Sequence, residues 1–383
     1  MLTPDTPLIS VDDHIVEPPD LWVTRLPKHL HEEGPRVVEL ESGRQAWKYE
    51  DTLTTIVAGS ARVREDYAGS IDFNEVRWRE GREIRYDEMR PGCYDPVERL
   101  KDMDTERVDA ELCFPTFGRF TGHRFMASKD KELGLLCIKA YNDFVIDEWC
   151  ATDPHRLLSL AVLPLWDIEQ SVIELKRVLD RGVHALAFSE NPTMMGLPSI
   201  HTTYWDPIWS LAAEAELPIC MHIGSSSKMI TSSDDAPLNV GHVIIGVNSM
   251  IACADWLHSN LFVRFPNLRI VLSEGGIGWV PYVLERATRM FHKRGTETGS
   301  VVPPQELFRD HVFVCMVADQ FGIDNLDQIG TDNVMWESDY PHDESDWPDS
   351  RVLLEQALAK VPDDIARKIA CETAQRVFRI AAR

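Results

Sequence analysis

Short apolar segments that alternate with longer amphipathic segments constrain the fold of this chain more than any other feature. Helix-period patterns lie between most of these short segments; Asp130–Cys150, for example, places apolar side chains at three- and four-residue spacing. The alternation predicts parallel strands joined by helices. The candidate strands are Leu8–Val11, Ala110–Phe114, Leu157–Leu163, Ala185–Phe188, Leu217–Met221, Arg269–Leu272, His311–Cys315 and Val334–Trp336.

The segment after the first candidate strand distinguishes between two possible folds with a parallel sheet. A doubly wound dinucleotide-binding sheet carries a glycine-rich phosphate-binding turn after its first strand. Here Leu8–Val11 continues into Asp12, Asp13 and His14, without such a turn. We therefore predict an α/β fold of the (β/α)8 TIM-barrel type, with strands that alternate with helices around a closed barrel.

Two regions lie outside this alternation. Residues 23–95 are rich in charged and turn-forming residues and match no barrel helix, so we predict an insertion after strand one that covers the barrel mouth as a lid. The tail, residues 349–383, is expected to form two or three closing helices. A chain of 383 residues has the usual length of a barrel with insertions, so residues 1–383 are predicted to form a single domain.

Composition limits the partners of the protein. The 62 acidic and 39 basic residues give a formal net charge of −23, and such a field repels phosphate backbones and anionic membranes. We therefore expect a small-molecule substrate, no nucleic acid and no membrane. The N-terminal residues lack the pattern of a secretory signal, and the eight cysteines are scattered without a CxxC pair. These features predict a cytoplasmic protein with reduced thiols.

Polar side chains follow five of the candidate strands, at the end where barrel enzymes place their active sites. Imidazoles and carboxylates that converge from several strands are typical of a divalent metal site. Each residue alone also has a structural explanation, such as a hydrogen-bonded histidine or a helix-capping aspartate, and only the joint placement favours a metal. The candidate ligands are Asp12, His14, Glu190, His222, Glu274, Asp339 and His342.

Three segments resemble motifs of the amidohydrolase-2 family, the branch of the amidohydrolase superfamily that contains aminocarboxymuconate-semialdehyde decarboxylase and γ-resorcylate decarboxylase. They are Asp12–Trp22, Phe265–Pro281 and Ser338–His342. The resemblance implies a distorted TIM barrel whose metal ligands fall on Asp12, His14, His222 and Asp339. It also implies self-association, as a homo-oligomer or as a hetero-oligomer with a related subunit.

The sequence departs from the family pattern at two positions. Asp12 replaces the first histidine of the His-x-His motif, as in the acidic version found in some decarboxylases of the family, and Glu274 replaces the histidine after strand six. Glu190 stands where dinuclear members of the superfamily carry a bridging ligand. These carboxylates favour iron or manganese over a purely zinc-selective site, and the set is large enough for one or two divalent ions per chain.

Several functions fit such a site. A metal-dependent hydrolase or non-oxidative decarboxylase of a small, carboxylate-bearing substrate is favoured, with Asp339 and His222 as catalytic residues and Asp339 as the proton shuttle. One alternative is a dinuclear iron or iron–manganese hydroxylase that activates O2, and another is a catalytically silent scaffold subunit. The sequence contains no nucleophile elbow, Walker loop or dinucleotide fingerprint, so no organic cofactor is indicated.

Overall fold

The computed structural model describes residues 2–3, 5–64, 81–298 and 301–381. The strands in this part of the chain are β1 Ile9–Ile15, β2 Arg36–Glu39, β3 Gln45–Tyr49, β4 Thr52–Thr55, β5 Ala110–Pro115, β6 Leu157–Leu158, β7 Leu160–Ala161, β8 Ala185–Ala187, β9 Ile219–His222, β10 Ile270–Ser273, β11 Val312–Met316 and β12 Val334–Trp336.

The α-helices of the same residues follow the barrel strands and form the outer layer. They are α1 Leu21–Arg25, α2 Pro96–Glu106, α3 His123–Met126, α4 Lys131–Phe144, α5 Ile168–Leu179, α6 Asp206–Glu214, α7 Leu238–Val243, α8 Val247–His258, α9 Leu261–Arg264, α10 Val280–Thr298, α11 Pro304–His311, α12 Gln320–Asp324, α13 Leu326–Ile329, α14 Ser350–Ala357, α15 Asp363–Arg367 and α16 Thr373–Phe378. No helix in the described ranges is both long and apolar enough to span a membrane.

The parallel strands close into a barrel. The strands β1, β5 and β6 pair in that order, and β7 to β12 pair in sequence order. Only Ser159 separates β6 from β7, so these two short strands are halves of one barrel strand. At the other edge, Asp339 donates its N–H to the carbonyl of Asp12 at 2.9 Å, and His14 donates to the carbonyl of Tyr340 at 2.7 Å. This seam between β1 and the segment after β12 completes eight strands and confirms the predicted fold class.

The first strand is longer than predicted. We expected it to end at Val11, but β1 continues to Ile15 and pairs Asp13 with Cys113 and His14 with Phe114 of β5. The prediction was wrong because polar residues usually mark the end of a buried strand. Here the polar side chains of the strand are themselves buried. The candidate ligands on this strand therefore have a fixed backbone.

The region predicted as a lid contains a small antiparallel sheet of β2, β3 and β4. Trp47 on β3 is buried, stacks on Phe117 with ring centroids 4.6 Å apart, and meets Trp22 edge-on at 5.2 Å. The sheet thus packs against the segment that follows β5, at the barrel mouth. Residues 65–80 of the predicted lid lie outside the described residues. The predicted closing helices correspond to α14, α15 and α16.

A buried arginine joins the seam to the helical layer. Arg99 on α2 is fully buried and donates its Nε–H to both carboxylate oxygens of Glu111, at 2.8 and 3.0 Å. Its Nη2 donates to the carbonyl of His14 at 2.7 Å and to that of Tyr340 at 3.3 Å. One guanidinium therefore contacts both sides of the seam.

We expect Arg99→Met to lower the free energy of unfolding by about 3–5 kcal/mol, because it leaves the Glu111 carboxylate buried without its partner. Chemical denaturation followed by circular dichroism measures this change. Lys101→Met on the same helix is the control, since Lys101 is exposed and forms its ion pair with exposed Glu98. This variant should lower the free energy of unfolding by less than about 1 kcal/mol. Equal losses in the two variants would contradict the role given to Arg99.

Candidate metal centre

Imidazole nitrogens and carboxylate oxygens from three barrel strands and the seam meet at one point inside the barrel mouth. His14 Nε2 lies 3.0 Å from Asp339 Oδ1 and 3.2 Å from His222 Nε2. His222 Nε2 lies 3.0 Å from Glu274 Oε2. The carboxylate of Asp12 approaches both imidazoles, at 3.7 Å from His14 Nε2 and 3.6 Å from His222 Nε2.

His342 borders this group. Its Nδ1 lies 3.0 Å from Asp339 Oδ1, and its ring stacks on that of His14 with centroids 3.7 Å apart. The structure thus brings six of the seven candidate ligands together, in three overlapping groups whose donor atoms lie within 4.8 Å of one another. We call this set the ligand cluster: Asp12, His14, His222, Glu274, Asp339 and His342.

The orientation of His222 places a nitrogen lone pair inside the ligand cluster. His222 Nδ1 lies 2.6 Å from the carbonyl oxygen of Ile223. A carbonyl only accepts hydrogen bonds, so Nδ1 carries the proton and Nε2 of the neutral ring presents a lone pair. That lone pair faces the Glu274 carboxylate. Burial lowers the pKa of His222 to about 4, so a second proton on the ring does not relieve the repulsion at neutral pH.

The carboxylates of the ligand cluster repel one another. Both oxygens of Asp12 are buried and accept no hydrogen bond from the described residues. Burial, followed by the charge of Glu337, raises the pKa of Asp12 well above its usual value, and burial with the charge of Asp339 does the same for Glu274. Burial also acts to raise the pKa of Asp339, but His342 and His14 outweigh it and bring that pKa below its usual value. A divalent cation offsets this repulsion, and the mixed nitrogen and oxygen donors suit such an ion.

Glu190, the seventh candidate ligand, lies outside the ligand cluster. Its Oε1 accepts hydrogen bonds from Gly224 N at 3.0 Å, Ser226 Oγ at 2.8 Å and Asn248 Nδ2 at 2.6 Å. It belongs to none of the ligand groups found among the described residues. Glu190 instead holds the loop that follows His222.

Two further residues of the site were not singled out in the sequence. Glu337 at the end of β12 is buried and accepts the N–H of Glu274 with both carboxylate oxygens, each at 3.1 Å. Burial raises its pKa to about 8. Phe120 stacks on His222 with centroids 3.8 Å apart. The position of Glu337, two residues before Asp339, was a usable signal because alternate residues of a strand share a face; Phe120 carried no such signal.

A cavity of about 430 Å³ opens next to the ligand cluster. Three members of the cluster line it, namely His222, Glu274 and His342, together with two exposed cations, Arg119 and Lys228. This volume lies within the usual range for a small-molecule site. The ligand cluster therefore faces a space in which a small organic molecule fits beside positive charge.

Comparison with known proteins agrees with this geometry. The family model described as "Amidohydrolase" matches residues 27–380. The chain belongs to the amidohydrolase family. It is accordingly a metal-dependent enzyme of the hydrolase or carboxy-lyase class, and the resemblance predicted from its motifs is confirmed.

Individual proteins that resemble this chain share low sequence identity with it. A γ-resorcylate decarboxylase of Rhodococcus jostii (strain RHA1) is 25% identical over 305 residues, which cover 72% of this chain and 88% of that protein. An amidohydrolase of Mycobacterium avium subsp. paratuberculosis K-10 superposes with a TM-score of 0.78 at 22% identity, covering 98% of this chain and all of the other. A dihydroxybenzoic acid decarboxylase of Polaromonas sp. JS666, solved with bound manganese and the inhibitor 2-nitroresorcinol, superposes with a TM-score of 0.62 at 16% identity, covering 99% and 98% of the two chains.

We expect His222→Ala to weaken metal binding by more than about tenfold, because even the loss of an outer-shell partner costs that much. Elemental analysis of protein purified without added metal gives the equivalents of manganese, iron and zinc per chain. His201→Ala is the control, since His201 is exposed and pairs with Asp255 at 3.0 Å. Retention of full metal content by His222→Ala would exclude His222 as a ligand.

Proposed function

We propose that this chain is a metal-dependent, non-oxidative decarboxylase of a small aromatic carboxylate. The observation that carries the proposal is a ligand cluster of imidazoles and carboxylates that faces a cavity with a cationic wall. A carboxylate substrate is attracted both by a metal in the cluster and by Arg119 and Lys228. The decarboxylase activities named for two of the compared proteins support the same reaction.

In this proposal Asp12, His14, His222, Glu274 and Asp339 hold the divalent metal. When bound, the metal supplies Lewis-acid chemistry by neutralising a substrate carboxylate and polarising an adjacent oxygen. Manganese or iron suits this carboxylate-rich set better than zinc, and manganese is the ion bound in the Polaromonas structure. Glu190 is left out of the set because it belongs to none of the ligand groups among the described residues, and its Oε1 accepts hydrogen bonds from the loop after β9.

Residues of the protein itself hold and transfer the proton that the reaction needs. In decarboxylation the bond between the ring carbon and the carboxylate breaks, CO2 leaves, and the ring carbon takes up a proton. Asp339 and His342 are 3.0 Å apart, and His342 lines the cavity. This pair can hold a proton and deliver it to the substrate. Phe120, on the wall beside His222, offers an apolar face to an aromatic ring and keeps water away from it.

The other functions considered from the sequence have less support. Hydrolysis would use the same groups, whereas neither the hydroxylase nor the scaffold alternative gains support from the compared proteins. The cytoplasmic location and the self-association stay predictions.

We expect the manganese-loaded enzyme to release CO2 from γ-resorcylate or a related hydroxybenzoate, and Asp339→Asn to lower kcat by about a hundredfold or more. In D2O the product should carry one deuterium at the vacated ring carbon, which mass spectrometry detects. Asp255→Asn, a change at an exposed carboxylate paired with His201, should leave kcat unchanged.

Two results would refute decarboxylation. One is stoichiometric O2 consumption with a hydroxylated product, and the other is turnover of esters or amides without CO2 release from any aromatic carboxylate.

A further inference from the structure

A second cavity, of about 440 Å³, adjoins the cavity beside the ligand cluster. Its walls come from the loop after β10, the link between α7 and α8, and the loop after β11. Glu274 lines both cavities, so the second one begins at a member of the ligand cluster. The reaction of a small aromatic carboxylate does not require this additional space.

Apolar side chains dominate the wall of the second cavity. They include Val243, Ile244, Ile245, Met250 and Trp279. The indole Nε1 of Trp279 donates to the carbonyl of Gly275 at 2.9 Å, so the ring turns only apolar surface to a ligand. At the rim, Val243 is 83% exposed, and Phe321, which packs beside the lining residue Gly278, is 66% exposed. Apolar surface that is grouped around a concavity is typical of a binding groove.

Four carboxylates also line this cavity, but the protein itself engages them. Asp319 accepts three backbone N–H groups, at 2.6, 2.7 and 2.9 Å. Glu337 accepts the N–H of Glu274 with both oxygens. Glu344 lies exposed at the rim, with its Oε1 3.7 Å from His242 Nδ1. The surface that remains for a ligand is therefore mainly apolar.

The two cavities differ in charge. Arg119 and Lys228 line the first, whereas no arginine or lysine of the described chain lines the second, which has carboxylates instead. An anionic group is therefore attracted to the first cavity and repelled from the second. A molecule that enters both places its carboxylate in the first and an uncharged part in the second.

We propose that the second cavity binds an apolar substituent of the substrate, so that this enzyme acts on aromatic carboxylates that carry an alkyl chain. The carboxylate lies at the ligand cluster, and the chain passes Glu274 to contact Trp279, Met250 and Val243. Hydrophobic burial supplies the affinity, since each buried CH2 group strengthens binding by about fourfold. The reaction of the carboxylate rests on the proposed function, whereas the binding of the alkyl chain does not.

Calorimetric titration of the metal-loaded, full-length protein with γ-resorcylate and with its 3-butyl and 4-butyl derivatives tests the proposal. We expect one of the butyl derivatives to bind about tenfold or more tightly than γ-resorcylate, after the cost of ordering the chain. Its heat-capacity change on binding should be more negative, because more apolar surface is buried. Equal affinities of the three compounds, or no binding of either butyl derivative, would overturn the proposal.

A variant that fills the cavity makes the test specific. Ala318 is exposed and lines the cavity, so Ala318→Trp should fold and should remove most of the preference for the butyl derivative. Ala151→Trp places the same side chain at an exposed position outside the cavity and should keep the preference. An equal preference in the two variants would contradict the proposed site.

A second pair of variants tests the rim. Val243→Asp brings a charge to the rim and should also weaken the preference, whereas Val301→Asp, at a position that is 82% exposed and outside the cavity, should keep it. Neither variant should change the mass found by sedimentation. A lower mass for Val243→Asp alone would assign the rim to a contact between copies of this chain and overturn the proposal.

The result also separates this proposal from the proposed function. A preference for the butyl derivative without CO2 release from any aromatic carboxylate would support the apolar site and remove the decarboxylase. CO2 release from γ-resorcylate without any such preference would do the opposite.

Discussion

The seam between β1 and the segment after β12 is the constraint on which the functional site depends. Asp12 and His14 lie on one side of it and Asp339 on the other, so the ligand cluster exists only when the barrel closes. Two backbone hydrogen bonds join the sides, and the Arg99 guanidinium donates to carbonyls on both. A buried charge is costly, but here it is matched by the carboxylate of Glu111 and by the carbonyls that accept its remaining N–H groups. The same group that completes the barrel thereby fixes the spacing of the ligands.

Forming the ligand cluster costs free energy when the chain folds. Glu274 and Asp339 both have φ of +58°, a left-handed conformation that costs a non-glycine residue roughly 1–3 kcal/mol. Glu274 directly follows β10, and Asp339 lies three residues beyond the end of β12. Burial, followed by the mutual repulsion of the carboxylates, also raises the pKa of Asp12 and Glu274. A cation that binds the folded cluster and not the unfolded chain relieves that repulsion, so metal binding and stability are linked.

The sequence allowed the barrel and most of the ligand cluster to be predicted for one reason: parallel strands place their carboxyl ends at the same edge, so polar residues at those ends converge. Glu190 shows the limit of that argument. It also follows a barrel strand, but its Oε1 accepts hydrogen bonds from Gly224 and Ser226, and a strand pattern carries no information on such a loop. The prediction of where β1 ends was wrong for a related reason, since the burial of Asp12 and His14 depends on partners that are distant in the chain. Arg119 was missed because its position on the cavity wall depends on the loop after β5, which only the folded molecule reveals.

The distribution of charge decides how an anionic substrate is recognised. The formal net charge of −23 repels anions at long range, yet this repulsion is screened beyond about 8 Å at physiological ionic strength. Attraction must therefore come from charges that the substrate touches, namely a metal in the ligand cluster and the cations at the cavity wall. Arg119 and Lys228 are exposed on that wall, so a bound substrate can contact their charges. Selectivity between anions then depends on how well they fit between the ligand cluster and these cations, because only short-range contacts distinguish one anion from another.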